Sequence, residues 1–167
     1  MTDHTLAPQP DLWGRSLFCE DVRRELSGQI SLIGCYTSGI ETPKFPAILP
    51  KLAVYVEIVQ SASIPRRELV VRGFLPGAGA DKPFFESKAF EEGTDVIRVA
   101  HVDSTDDLYP GDRIFRAVTV AIVSPIRLTQ SGRILVRAFD REHYYPLGSM
   151  AVTGPSDDDG SLTATDA

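Results

Sequence analysis

The chain has 167 residues, 43% of them hydrophobic and 24% charged, the size and make-up of one globular domain and not of a disordered or fibrous protein. Its net charge of −6 belongs to the ends: Asp3, Asp11, Asp157, Asp158, Asp159 and Asp166 account for it, while 17 acidic side chains face 17 basic ones between Trp13 and Pro155. A neutral body lacks the excess of lysine and arginine that displaces counterions from phosphates, so a nucleic-acid partner is not expected.

The start is polar, contains Pro8 and Pro10, and shows no basic region followed by an apolar run, so no secretory signal is expected. No apolar stretch approaches the roughly 18 residues of a membrane span. These features predict a cytoplasmic protein with no membrane partner. Residues 1–12 and 155–167 read as disordered tails around a single domain, 13–154. Two cysteines, Cys19 and Cys35, make neither a disulfide framework nor a CxxC metal pair.

Along the chain the dominant period is two. Arg15–Val22 and Gln29–Tyr36 read as strands of a hairpin whose loop contains Gly28, a residue that tolerates positive φ. A pairing centred near Ser27 puts Cys19 opposite Cys35. Cross-strand cysteines can form a disulfide; in a cytoplasmic protein the plainer expectation is two buried thiols. The prolines of Pro43–Pro50 forbid a helix and suit a connector or sheet edge. Leu52, Val54, Val56 and Ile58 then point one way, with Lys51, Tyr55 and Glu57 the other, which predicts a strand with one face in the core.

Arg67–Leu75 repeats the pattern, and Pro76–Asp81 reads as a glycine-rich surface loop. It lacks the Lys-Ser/Thr of a phosphate-binding loop. Phe84–Glu92 suits either a short helix or a ragged edge strand. Thr94–Val102 reads as a strand and Asp103–Asp112 as a polar loop. Ile114–Val123 is apolar on both faces, as expected of a central strand. Gly132–Asp140 is the last strong strand. The total is seven or eight strands in an all-β fold, a single antiparallel β-sandwich.

The block Phe18-Cys19-Glu20-Asp21-Val22-Arg23, with Gly28, Ser31-Leu32-Ile33-Gly34-Cys35-Tyr36, Phe45-Pro46 and Leu49-Pro50-Lys51-Leu52, resembles an uncharacterised family of small bacterial proteins. That family begins with a C-[DE]-D-[VI]-R strand and an S-L-I-G hairpin. The resemblance covers about the first third of the chain; it implies the β-fold and carries no activity.

Chemistry-bearing groupings are few. His101 and Asp103 share one face of a strand, and His143 would complete a two-histidine, one-carboxylate metal site if it converged on them. Asp103, Asp106 and Asp107, with Asp112 beyond, could hold calcium at a sandwich tip, although they fit no EF-hand pattern. Glu20 and Asp21 face opposite sides of a strand, so they read as salt-bridging residues and not as an acid–base pair.

The last strong strand offers more. Ile134, Val136 and Ala138 form its core face, which leaves Arg133, Leu135, Arg137, Phe139 and Arg141 as an outward stripe of a composition common at protein interfaces. The plainer reading is cross-strand salt bridging with Leu135 and Phe139 covered. Two functions follow. The favoured one is a non-catalytic interaction or assembly module that binds a protein partner or a second copy of itself through that stripe, without cofactor or metal. The alternative is a small metal-assisted enzyme or ligand-binding protein using His101, Asp103 and His143.

Overall fold

Eleven strands and no helix make up the regular structure of the residues that the computed structural model describes, 11–61, 64–65, 67–89, 114–141 and 143–155. In chain order they are β1 (Leu12–Arg24), β2 (Ile30–Cys35), β3 (Ile40–Glu41), β4 (Ala47–Leu49), β5 (Leu52–Ser61), β6 (Leu69–Phe74), β7 (Phe85–Ala89), β8 (Ile114–Val123), β9 (Ile126–Leu128), β10 (Gly132–Phe139) and β11 (Tyr144–Thr153). A four-stranded sheet runs β2-β1-β5-β8, a five-stranded sheet runs β3-β11-β10-β6-β7, and β4 pairs with β9. The pairings are antiparallel except β3 with β11.

The sheets meet over one apolar core. Leu52, Val54, Val56 and Ile58 of β5 lie against Leu69 and Val71 of β6, Ile134, Val136 and Ala138 of β10, and Leu147, Met150 and Val152 of β11. Alternation puts every second residue of each strand into this layer. The one fully buried polar chain on this face of β5, Gln60, donates to the Pro65 carbonyl at 3.0 Å and accepts from the Arg67 amide at 3.1 Å. Its burial therefore leaves no amide group unsatisfied.

The all-β expectation holds, with corrections to its parts. The short helix allowed over 84–92 is instead a strand where it is described: Phe85–Ala89 forms β7, paired with β6. Ile114–Val123 is not central but sits at the end of its sheet, paired with β5 alone among the described strands. The strand Leu52–Ser61 is buried on both faces and not on one, with Tyr55 and Glu57 as covered as their core-facing neighbours. The strand expected over Thr94–Val102 and both tails, apart from Asp11, Leu12 and Pro155, lie outside the described residues.

β11 went unread for a physical reason. Its alternation breaks at a bulge: Arg137 pairs with Pro146 and Val136 with Gly148, leaving Leu147 as the extra residue. Inward positions therefore change parity, from Tyr145 and Leu147 to Met150 and Val152. Gly148 sits at φ +150°, and a Cβ there would overlap the Ser16 hydroxyl. That close approach is where β1 and β11 meet: Ser16 Oγ donates to the Leu147 carbonyl at 3.2 Å.

Candidate functional site

The outward stripe of β10 exists as a face, with Ile134, Val136 and Ala138 fully buried beneath it. Its strand is interior, however, flanked by β11 and β6, and not near the end of a sheet. Register sets Phe74 and Arg72 of β6 beside Leu135 and Arg137, and Tyr144 beside Phe139. Arg137 lies 4.8 Å from the Tyr144 ring centre and 5.9 Å from that of Phe74, and Arg72 lies 5.2 Å from that of Phe139. Phe74 and Phe139 meet edge to face at 6.2 Å. Arg72 Nε also donates to Glu86 Oε2 at 2.7 Å, and Arg133 donates twice to Ser149 Oγ, at 3.0 and 2.8 Å. Arg141, at the far end, approaches Glu68 only at 4.0 Å with both chains in water. The stripe is thus an arginine–aromatic lattice whose cations stack on rings of the same face.

His143 lies on the turn between β10 and β11. Its amide donates to Asp140 Oδ1 at 2.6 Å, and its Nδ1 stands 3.7 Å from the same oxygen. Asp140 Oδ2 accepts from the Tyr145 hydroxyl at 2.8 Å and from Arg67 at 3.3 Å, so this carboxylate organises a turn. His101, Asp103, Asp106, Asp107 and Asp112 lie outside the described residues. Among the described residues no three of His, Cys, Asp and Glu converge on a metal position.

Asp21 behaves as a hairpin salt-bridge residue. It pairs with Lys51 at 2.8 Å and Arg23 at 3.3 Å, and the Lys51 hydrogen bond is the main cause of its carboxyl being held below the usual range. Glu20 lies beside Gly34, where a Cβ would collide with its side chain.

A second surface, which sequence reasoning missed, is the outer face of the four-stranded sheet. Strand alternation and register bring Trp13 and Leu17 of β1, Ile33 of β2, and Ile114, Val120 and Ile122 of β8 to this side. These six large apolar side chains are between 37 and 51% exposed. Beneath them lie Ala53, Tyr55 and Val59 of β5, all buried. The only carboxylate on this side of β5 is Glu57, and it is clamped: Arg15 Nε donates to Oε2 at 2.8 Å and Arg116 Nε donates to Oε1. The Glu57 side chain is only 6% exposed, whereas that of Arg15 is 61% exposed, so the arginines roof the carboxylate and reach water themselves.

The signal for this face lay in strands apolar on both sides. β5 and β8 each carry large aliphatic groups at odd and even positions, and β1 adds Trp13 and Leu17 opposite its core-facing Phe18. A sheet with one wetted face does not need them.

At the β2 edge of this face stand the cysteines. Cys19 pairs with Cys35 in register, as the hairpin centred at Ser27 predicts, and their sulfurs lie 3.1 Å apart as free thiols. Cys19 is buried but Cys35 is exposed, which corrects the expectation of two buried thiols. Burial first, then the hydrogen bond and charge of Cys35, push the Cys19 thiol up to about 12.

Compared with protein-family models, curated proteins and solved structures, the chain matches none.

Proposed function

We propose that this protein is a non-catalytic assembly module that pairs with a second copy of itself through the outer face of its four-stranded sheet. The observation that carries this reading is the set of six uncovered apolar side chains on that face. Each is a third to a half exposed, so together they leave on the order of a few hundred Å² of apolar surface. That lies within the roughly 300–600 Å² of the largest patch on a typical monomer, a patch that is often functional. A standard stable interface covers roughly 800 Å² per partner, so polar neighbours would supply the remainder.

A second copy is the occupant because the face is suited to itself. It is a broad sheet surface that can pack on its own image about a two-fold axis, the commonest symmetry of soluble oligomers. β8 supports this. It is a ten-residue strand that ends its sheet among the described strands, and it carries a single charge, Arg116, and no proline. Edges that stay alone in water usually carry several charges, a proline or a bulge.

The arginine–aromatic face of β10 is less suited to drive assembly, since its rings and cations already satisfy one another. The double variant Leu17→Ser with Ile122→Ser tests the choice. It should weaken self-association at least tenfold while the unfolding midpoint stays close to that of the parent. Leu135→Ser with Phe139→Ser should leave association unchanged and cost about 1–3 kcal/mol of stability through lost part-buried contacts. The opposite pattern would move the interface to β10.

A further inference from the structure

We propose that Cys19 and Cys35 form a dithiol site that closes to an intramolecular disulfide on reaction with an anionic low-molecular-weight disulfide of the glutathione class. The site lies at the β2 edge of the apolar outer face, and the proposal does not depend on the assembly reading.

Backbone geometry favours closure. The Tyr36 amide donates to the Phe18 carbonyl at 2.8 Å, a bond between the residues flanking the two cysteines. That pattern makes Cys19 and Cys35 a non-hydrogen-bonded antiparallel pair, the type in which opposed Cα atoms are about 4.5 Å apart and side chains lie closest. Disulfides accept Cα separations of about 4.4–6.8 Å. The sulfurs, at 3.1 Å, need to approach by roughly 1 Å to reach a bond of about 2.05 Å.

Access is divided between the two thiols. Cys35 is exposed and lines a cleft of about 350 Å³ together with Tyr36, Thr37, Ser38, Arg133 and Ser149. Among the described residues of that lining Arg133 is the only charged side chain, and its guanidinium suits the carboxylates of a peptide-like disulfide. Cys19 is buried, and its sulfur faces that of Cys35.

The chemistry balances with that one co-substrate. The Cys35 thiolate attacks one sulfur of RS–SR, forming Cys35–S–SR and expelling RS⁻, which takes up the proton that Cys35 lost. The Cys19 sulfur, as it gives up its proton, attacks the Cys35 sulfur; the S–SR bond breaks and the second RS⁻ leaves with that proton as RSH. Two protein thiols are oxidised to one disulfide, and one RSSR is reduced to two RSH. Burial raises the Cys19 thiol, so the loss of its proton opposes the second step at neutral pH.

The full chain, incubated to completion with oxidised glutathione and read by intact mass under non-denaturing quench, tests the site. The parent should lose both titratable thiols and become lighter by two hydrogen atoms, without a glutathione adduct and without covalent dimers. Cys19→Ser should stop at one stable glutathione adduct on Cys35. Cys35→Ser should stay unmodified while folded and react once unfolded. A parent that retains both thiols, keeps a stable adduct, or forms only interchain disulfides would overturn the proposal.

Discussion

Glu57 is a buried carboxylate whose charge is balanced by two arginines that still touch water. The arrangement predicts an asymmetry. Glu57→Gln removes the charge and frees Arg15 and Arg116 to turn outward, so it should cost about 1–2 kcal/mol. Arg15→Met with Arg116→Met strands the carboxylate under the sheet face and should cost about 3–5 kcal/mol. Urea unfolding of the two variants gives the comparison, and equal losses would mean that the carboxylate is not held by its partners. Cys19 makes a separate prediction. Its folded value of about 12 lies above the ordinary 9.0, so the folded state favours the neutral thiol. The stability this provides is whole below about pH 9 and is lost as pH rises toward about 12. Tyr36 and Tyr145, also raised chiefly by burial, act in the same direction. Under reducing conditions Cys19→Ala should therefore lose less of its stability than the parent between about pH 9 and pH 11, which the urea midpoint would report. A parent and variant that decline in parallel would show that Cys19 titrates as an ordinary thiol.

Among the elements, the β1–β2 hairpin was the most readable, because its strands alternate and Gly28 fixes the loop. Gly28 has φ +84° and its amide donates to the Glu25 carbonyl at 2.9 Å, so the register that sets Cys19 against Cys35 follows from the turn. The β10 alternation was equally readable, since Ile134, Val136 and Ala138 leave no doubt about the core side. β11 was not, because a bulge shifts parity midway and Pro146 and Gly148 interrupt the strand pattern. Sheet order was not readable either. A strand apolar on both faces can lie at the centre of a sheet or at an end, and among the described strands β8 lies at an end. The β1–β11 approach yields its own test. Gly148→Ala should cost about 1–3 kcal/mol, because the new methyl both strains a positive φ and displaces Ser16. Gly148→Ala combined with Ser16→Ala should recover part of that loss; no recovery would leave backbone strain as the whole effect.

Over the whole molecule, what the sequence conveyed was the class of fold and the core side of most strands. The apolar outer face escaped because its residues come from β1, β2 and β8, three strands that only the sheet order brings together. The β10 stripe stood out because its residues are consecutive in one strand, and local patterns are visible without topology. The acidic ends add the one global electrostatic feature: at neutral pH each chain carries −6, with a neutral body between. Ends of like charge repel more weakly as salt rises, so assembly driven by an apolar face should hold or strengthen with ionic strength. Sedimentation velocity of the unmodified chain over a wide concentration range, under reducing conditions, tests the account most directly. A concentration-dependent shift to the mass of two chains that persists in high salt, and is lost in Leu17→Ser with Ile122→Ser, is the predicted result. A single species with the mass of one chain throughout would contradict it.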